Sequence, residues 1–398
     1  AMNLDHPLPL LGNQSPNDFM RRYWQKKPLL IRQAIPGFKP PVTIAAIKKL
    51  ARRDDVESRL IWRENGEWQM ESGPFARLPK DNEGDWTLLV QSVDLHSDAA
   101  AELMQQFRFI PDARLDDVMI SIASHGGGVG PHFDSYDVFL LQAAGEREWR
   151  YGRQKDLSLE PGLPLKILSR FEPEAQAVLA PGDMLYLPPQ AAHDGIAAGD
   201  GCMTISIGFR APTQATLARG LLEAAADQVM ARVGLLGGPY GEPALPGPKL
   251  SAVYRDPAQA AVTTPAQVPD ALVEATLETV QKLRFDDALA SRFLGCWLTE
   301  PSNLSVFDAP EGLDVDLEED WPTAGKLVLD RRSRMLYRGK QLFINGETAM
   351  TPASAALCKL ADARSLDCAD PACARLSDEA RSCLADWLDS GWIHYVAS

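Results

Sequence analysis

The sequence predicts an α+β protein in which a β-barrel or jelly roll is followed by helices and then by a small mixed unit. Three stretches carry this prediction. From Asp117 to Arg210, short runs rich in Val, Ile, Leu, Phe and Tyr are separated by Gly and Pro turns, which is typical of an all-β barrel or jelly roll. After Pro212, apolar residues recur at helical spacing. Residues 301–398 combine strand-like runs with helical stretches.

The composition fits a globular protein of more than one domain. The chain has 398 residues, of which 45% are hydrophobic and 24% charged, so we expect two or three units and neither wholesale disorder nor a membrane protein. No apolar run approaches the length of a membrane span. The formal net charge of -14 disfavours direct binding to nucleic acid and favours a basic protein as partner.

The beginning of the chain and its cysteines indicate a reducing compartment. Residues 1–15 lack the basic region and the apolar stretch of an export signal. The six cysteines are scattered too widely for a disulfide framework. We therefore expect a cytoplasmic protein.

The predicted elements before and after the barrel are mostly helical. Residues 16–110 mix helical stretches with short strand-like runs such as Pro28 to Gln33, so we expect them to wrap around a sheet. A first helix follows the barrel. The next residues, 234–270, are rich in Gly, Pro and Ala and are expected to form a linker or long loop. A second helical pattern runs from Ala271 to Leu298.

The final part of the chain predicts a winged-helix-like unit. It opens with an acidic stretch, Glu311 to Asp320, and continues with strand-like runs at Leu327 to Leu329 and Gln341 to Asn345. The pair Asn345-Gly346 favours a tight turn. Two helical stretches and the strand-like run Trp392 to Val396 follow.

A metal site is indicated by two histidines and an aspartate. His132 and Asp134 are two residues apart, so on a strand they share a face and can reach one cation. An isolated pair of this kind more often has a structural or solvated role. Here it is joined by His193, which follows a tight turn, a short apolar strand and a loop that delivers the ring. Such a set leaves coordination positions open and suits Fe(II), which must also bind a co-substrate and dioxygen.

The residues just before this pair are a second point of interest. His125 is a weaker candidate ligand beside the glycine run Gly126 to Gly130. A phosphate-binding loop would lead into a helix, whereas this run leads into His132 on a predicted strand. We interpret it as a flexible lip of the active site.

Arg147 is the candidate for holding a co-substrate. If the iron takes 2-oxoglutarate through its keto-acid end, the far carboxylate needs a buried cation, which a guanidinium can supply. Alternation along a strand turns Arg147 and Trp149 to one face and Glu146 and Glu148 to the other. A surface arginine paired with these glutamates is the alternative.

Other pocket residues follow from the same alternation. Three small hydroxyl residues could donate to the 2-oxoglutarate carboxylates: Ser121, Thr204 and Ser206. Asp117 and Met119 share the face of Ser121, and Tyr136 shares that of His132 and Asp134. Asp117 and Tyr136 at the mouth of such a pocket would suit a cationic guest, although structural roles remain open.

The motifs together resemble the JmjC-type ribosomal oxygenases, in particular the bacterial ribosomal protein arginine hydroxylases. The resemblance covers nearly the whole chain. It rests on three stretches, which are Trp24-Gln25-Lys26-Lys27-Pro28, the run Gly128-Val129-Gly130-Pro131-His132-Phe133-Asp134-Ser135-Tyr136-Asp137-Val138-Phe139, and Ser206-Ile207-Gly208-Phe209-Arg210-Ala211-Pro212. It implies a double-stranded β-helix of the JmjC or cupin jelly-roll type in residues 1–211. It further implies a helical dimerisation region with a linker in residues 212–300 and a winged-helix-like domain in residues 301–398.

The resemblance also implies roles for the candidate residues. His132, Asp134 and His193 match the Fe(II) ligands, and Arg147 and Ser121 match contacts to 2-oxoglutarate. Three residues fall where the family holds its substrate: Asp117, Met119 and Tyr136. That substrate is an arginine of the sixteenth large-subunit ribosomal protein, hydroxylated at its β-carbon, and the enzyme is expected to be a homodimer. Many JmjC histone demethylases have a lysine in place of Arg147, which weakens a demethylase interpretation. Residues 194–205 match no motif.

Two other hypotheses remain open. The chemistry could act on another protein, a small molecule or RNA, although the negative charge argues against RNA. Alternatively, the barrel could be a non-catalytic cupin joined to an adaptor domain. The basic cluster of that domain, Arg331, Arg332 and Arg334, is explained more simply as a solvated hairpin. Its cysteines lack the paired spacing of a zinc site; these are Cys358, Cys368, Cys373 and Cys383.

Overall fold

The computed structural model describes residues 2–312 and 315–398. Contacts divide the chain into two compact units, residues 1–211 and residues 212–398. Within the acidic stretch Glu311 to Asp320, Leu313 and Asp314 lie outside the described residues. Among the helices that are described, none has both the length and the apolar character needed to cross a bilayer.

The first unit is built on two antiparallel sheets. The strands are β1 (Leu29–Ile31), β2 (Ser58–Glu64), β3 (Glu67–Ser72), β4 (Trp86–Val90), β5 (Leu115–Ala123), β6 (Val138–Ala144), β7 (Arg147–Gly152), β8 (Ala175–Leu179), β9 (Met184–Leu187), β10 (Ala192–Ala197) and β11 (Cys202–Phe209). The larger sheet has eight strands in the order β1-β9-β6-β11-β5-β4-β2-β3, and the smaller has the order β10-β7-β8. This is the two-sheet architecture of a jelly roll.

Both faces of the larger sheet are covered over much of its area. On β6, Phe139 and Leu141 belong to the main hydrophobic core with the N-terminal helices, whereas Val138 and Leu140 pack towards Trp149 of the smaller sheet. Side chains alternate between the two faces of a strand, so a strand covered on both sides needs apolar residues at consecutive positions. This explains why β5 and β6 contain nearly continuous apolar runs.

Three helices of residues 16–110 cover the outer face of the larger sheet. They are α1 (Pro16–Arg22), α2 (Ile44–Leu50) and α3 (Asp98–Gln105). Each begins at a Ser or Thr whose side chain accepts a hydrogen bond from a backbone N–H of the first turn, which satisfies one of the donors left free at a helix start. Phe19, Ile47 and Leu103 contribute their side chains from these helices to the main hydrophobic core. The same segment also extends the sheet, because β1 pairs with β9 and β4 pairs with β5.

The glycine run packs between the two sheets. The N–H of Gly126 donates to the carbonyl of Ala197 at 2.9 Å, and the N–H of Ala197 donates to the carbonyl of Gly127 at 3.0 Å. A methyl group on Gly127 would lie 2.4 Å from the Trp86 carbonyl oxygen, and one on Gly128 would lie 2.5 Å from that of Gly195. The expectation of a flexible lip is therefore wrong: glycine is needed here because backbones approach too closely for a Cβ.

The second unit begins with helices. They are α4 (Gln214–Arg232), α5 (Asp270–Gln281) and α6 (Asp287–Thr299). Residues 233–269 contain neither helix nor strand. The single helical pattern expected from Ala271 to Leu298 is two helices, because the side chain of Asp286 accepts a hydrogen bond from the N–H of Leu289 and caps a new start.

The rest of the second unit packs two helices against two small sheets. The elements are β12 (Lys326–Leu329), β13 (Met335–Arg338), β14 (Gln341–Ile344), β15 (Glu347–Thr348), α7 (Ala355–Ala363), β16 (Ser365–Asp367), α8 (Asp378–Asp389) and β17 (Ile393–Val396). The sheets have the orders β16-β12-β17 and β13-β14-β15, and the expected turn at Asn345-Gly346 joins β14 to β15 with positive φ at both residues.

The basic cluster of the second unit is not a solvated hairpin. Arg331, Arg332 and Arg334 are half-buried, and Arg332 donates to the carboxylate of Asp330 at 2.8 Å.

We predict that Gly127→Ala destabilises the protein by about 1–3 kcal/mol, because the new methyl group must displace backbone atoms. Thermal unfolding of the purified variant would measure this as a lowered Tm. The matched control is Gly199→Ala, since a methyl group there meets nothing within 4 Å. Equal melting temperatures for the two variants would show that the backbone around Gly127 can move to accommodate a methyl group, which would contradict the prediction.

Candidate active site

Two short backbone segments bring the metal candidates together. His132 and His193 form an isolated bridge in which each N–H donates to the carbonyl of the other residue, at 3.0 and 2.8 Å. Residues 131–137 precede β6 and are not themselves a strand, so the expectation that His132 and Asp134 share a strand is wrong. The carbonyl of Asp134 accepts from the N–H of Gln190 in a loop, at 2.7 Å, instead of from a neighbouring strand. His193 is delivered by β10 and not by a loop.

The side chains of this group converge on one point. The nearer carboxylate oxygen of Asp134 lies 3.5 Å from Nε2 of His193 and 3.9 Å from Nε2 of His132. All three ligand atoms lie within 4.8 Å of one another, and no other cluster of three or more His, Cys, Asp or Glu ligands is found in residues 2–312 and 315–398. The structure therefore supports no zinc site at the C-terminal cysteines it describes. His125 is exposed and stands outside the cluster.

The protonation of the two rings suits a metal. Nδ1 of His132 is 2.8 Å from the carbonyl of Gly130, and Nδ1 of His193 is 2.8 Å from that of Ala191. A carbonyl can only accept, so Nδ1 carries the hydrogen and the lone pair of Nε2 faces the common point. Desolvation in the cavity and the neighbouring His193 lower the pKa of His132 to about 4. Two imidazole nitrogens and a carboxylate are a donor set that fits Fe(II).

A cavity of about 470 Å³ surrounds the cluster and is lined by both sheets of the first unit. The structure brings every predicted site residue except His125 to its wall, namely Asp117, Met119, Ser121, His132, Asp134, Tyr136, Arg147, His193, Thr204 and Ser206. Strand pairing between β5 and β11 arranges part of this wall in levels. Ser121 is opposite Thr204, Met119 is opposite Ser206, and Asp117 is opposite Gly208.

Arg147 is a buried cation without an acidic partner. Arg147 is 3% exposed, so the alternative of a surface arginine paired with glutamates is wrong. One guanidinium nitrogen donates to the carbonyl of Gly195 at 3.0 Å and another lies 3.9 Å from Sγ of Cys202, while Nε has no partner. Among the described residues no carboxylate forms an ion pair with it, and burial lowers its pKa. A buried guanidinium with an unused donor fits an anionic guest such as a carboxylate.

The wall around Asp117 holds further polar groups. The carboxylate of Asp117 accepts from the N–H of Ser92 at 3.0 Å. The amide of Gln91, in the orientation that satisfies both ends, donates to Asp117 at 3.3 Å and accepts from Arg59 at 3.2 Å. Next to the metal cluster, Asp194 pairs with Arg150 at 2.9 Å, in the segment that matched no motif.

Among the polar residues of the cavity wall that sequence reasoning missed are Arg59, Thr87 and Gln91. They lie on or beside β2 and β4, well upstream of the recognisable motifs. The sequence does give a signal at Thr87, because it is a hydroxyl residue within the otherwise apolar run Trp86–Val90. On a strand, its side chain lies on the same face as that of Leu89.

Comparison with known proteins agrees with this geometry. The JmjC domain family matches residues 102–217, and the family described as ROXA-like winged helix matches residues 282–394. A solved structure of YcfD, a ribosomal oxygenase from Escherichia coli in complex with cobalt and 2-oxoglutarate, is 31% identical. It covers 95% of this chain and 97% of its own length with a TM-score of 0.75. The chain belongs to the JmjC ribosomal oxygenases.

Two curated relatives match this chain over part of their length. The ribosomal protein uL16 3-hydroxylase of Escherichia coli is 40% identical over 230 residues, which is 58% of this chain. A probable ribosomal oxygenase of Haemophilus influenzae is 38% identical over 216 residues, or 52% of this chain. The chain spans 60% and 52% of the lengths of these two relatives.

The comparisons confirm the predicted fold class of this chain. The JmjC match contains β5 to β11 and therefore all three candidate metal ligands. The winged-helix match begins just before α6 and ends within β17. The predicted JmjC jelly roll and the predicted winged-helix-like domain are both correct.

We predict that the metal-free ribosomal oxygenase binds Co(II) through the three converging side chains, and that His193→Ala reduces the affinity at least about tenfold, since losing one ligand removes a third of the donor set. Titration followed by the visible absorption of Co(II) would measure this. His125→Ala is the control and should titrate like the unmodified protein. Unchanged binding by His193→Ala would place the metal elsewhere.

Proposed function

We propose that the chain is an Fe(II)- and 2-oxoglutarate-dependent oxygenase that hydroxylates the β-carbon of an arginine in the large-subunit ribosomal protein uL16. The observation that carries this proposal is the presence in one cavity of a three-ligand metal cluster and a buried, uncompensated Arg147. The similarity to the Escherichia coli ribosomal protein uL16 3-hydroxylase supports the choice of substrate.

The roles of the chain's residues in this reaction are binding and orientation. When bound, Fe(II) together with 2-oxoglutarate and dioxygen supplies the oxidising power, which belongs to the cofactor and not to the protein. His132, Asp134 and His193 would hold the metal. The guanidinium of Arg147 would hold the far carboxylate of 2-oxoglutarate through charge-assisted hydrogen bonds. Trp149, which is 5% exposed and beside His193, helps to exclude water from this end of the cavity.

The other end of the cavity would receive the target arginine. Asp117 offers a carboxylate to a guanidinium, Tyr136 offers a ring and a hydroxyl, and Met119 offers an adaptable apolar contact. Tyr136 is 39% exposed, which places it at the mouth where an incoming protein segment would first meet the site. The net charge of -14 favours a basic partner such as a ribosomal protein. The same proposal places the chain in the cytoplasm, where ribosomal proteins are made.

The competing functions are less well supported by the site. A non-catalytic cupin has no need for a buried cation without a counter-charge, because such a group costs stability unless a ligand uses it. RNA is disfavoured by the overall negative charge. Another protein substrate would use the same chemistry, and the substrate experiment below separates it from uL16.

We expect the purified protein, incubated in air with Fe(II), 2-oxoglutarate and unmodified uL16, to add one oxygen atom to a single arginine. Fragmentation mass spectrometry would locate it at the β-carbon. His132→Ala, which removes a ligand of the metal cluster, should give no product, whereas His125→Ala should be as active as the unmodified protein. Succinate formed without modified uL16 would reject this substrate, and the absence of both products would reject the oxygenase.

We also propose that the chain is a homodimer that uses α5. No residue of α5 is buried, although Val273, Leu277 and Val280 are spaced to form one apolar stripe and are 47%, 60% and 53% exposed. A helix with an unburied apolar stripe gains stability by covering it. A second copy of the chain would cover two such stripes symmetrically.

Leu277→Asp should convert the dimer to a monomer, because a carboxylate would be placed in the middle of the apolar stripe. Size-exclusion chromatography with light scattering would measure the mass in solution. Glu278→Gln, on the opposite side of the same helix, should remain dimeric. A monomeric unmodified protein, or a dimeric Leu277→Asp, would contradict the use of α5.

A further inference from the structure

Thr87 carries a buried hydroxyl group whose function the fold does not explain. The residue is fully buried on β4 and lines the cavity. Its Oγ1 has no hydrogen-bond partner among the described residues. A buried polar group without a partner destabilises the folded state, so a hydroxyl of this kind beside a cavity favours a ligand that accepts its hydrogen bond.

Strand pairing places Thr87 at the Arg147 end of the cavity. Thr87 is directly opposite Ala123 on β5, and Ala123 is directly opposite Cys202 on β11, so these side chains form one row on the same face. Sγ of Cys202 lies 3.9 Å from the Arg147 guanidinium. Ser121 and Thr204 form the next row, and Met119 and Ser206 the one after that. Thr87 therefore belongs to the row that contacts Arg147.

Thr204 cannot serve as the donor expected of it. The buried amide of Gln142 donates to the carbonyls of Ala144 and Gly145, at 2.9 and 3.1 Å, which fixes its orientation. Its oxygen therefore accepts, and the hydroxyl of Thr204 donates to it at 3.0 Å. A hydroxyl has one hydrogen, and a carboxylate only accepts. With its hydrogen committed to Gln142, Thr204 has nothing to donate to a carboxylate.

We infer that Thr87 donates a hydrogen bond to the far carboxylate of 2-oxoglutarate beside Arg147, and that Thr204 supports the wall through Gln142 without donating to the co-substrate. This inference rests on the proposed function. It assigns a co-substrate contact to β4, a strand that precedes every motif of the site.

Paired substitutions to valine test this assignment, because valine keeps the shape of threonine and removes only the hydroxyl. Binding of 2-oxoglutarate to the Co(II)-loaded protein would be measured by calorimetry. Thr87→Val should weaken binding roughly tenfold or more, the expected cost of losing a hydrogen bond to a charged group. Thr204→Val should leave the Kd within about threefold, since its hydrogen is already used inside the protein.

The melting temperatures of the metal-free variants provide a readout that does not depend on the loaded enzyme. Thr87→Val should melt at or above the unmodified protein, because it removes an unsatisfied buried group. Thr204→Val should melt lower, because it leaves the oxygen of Gln142 without a donor. Equal losses of 2-oxoglutarate binding in the two variants, or a loss confined to Thr204→Val, would overturn the assignment.

A second ligand identifies the end of 2-oxoglutarate that is bound. 2-Oxobutyrate has the keto-acid end but no far carboxylate, so it should bind equally to the unmodified protein and to Thr87→Val. Weaker binding of 2-oxobutyrate by the variant would place the hydroxyl at the metal end and overturn the inference. Failure of the unmodified protein to bind 2-oxoglutarate would reject the proposed function itself, whereas normal binding by both variants would reject only the role of Thr87.

Discussion

The site depends on the reciprocal backbone hydrogen bonds between His132 and His193. They join the segment that precedes β6, in the larger sheet, to β10, in the smaller one. The two imidazoles are therefore held by main-chain geometry, and Asp134 reaches the same point from two residues further along. The hydrogen bonds of both Nδ1 atoms to carbonyl groups of their own segments fix the rings as well. Long side chains would otherwise lose rotamer freedom each time a metal bound, so a ligand set fixed in this way is largely preorganised.

The side chains that line the rest of the cavity are determined by which face of each strand points inwards. Alternation along β5 and β7 was sufficient to predict that Asp117, Met119 and Ser121 share a wall and that Arg147 points inwards with Trp149. The strand and helix patterns were sufficient to predict a jelly roll and a winged-helix-like unit, and the resemblance of the motifs to the JmjC ribosomal oxygenases identified the jelly roll as a JmjC fold. These predictions succeeded because period-two patterning and turn residues are local properties that the sequence displays directly.

Other features could not be predicted because they depend on contacts between distant parts of the chain. The segment from His132 to Tyr136 has the composition of a strand, but its hydrogen bonds go to Gln190 and His193 and not to a continuous neighbouring strand. The glycine run looked flexible because glycine also serves mobile loops, and only the closeness of Trp86 and Gly195 shows why it is glycine. Thr87 was missed although a threonine in an apolar strand is a local signal, because its meaning depends on the residues that are opposite it in the sheet.

The larger sheet, covered on both faces, divides its residues into two classes with different freedom to change. Residues that face the helices, such as Phe139 and Leu141, hold the fold together, and their replacement would be felt as lost stability. Their neighbours on the same strands face the cavity, so a change there alters the cavity wall while the packing against the helices stays in place. Substitutions at every second position of such a strand can therefore reshape the cavity while the helix-facing core keeps its packing, although Val138 and Leu140 also pack with Trp149 between the two sheets.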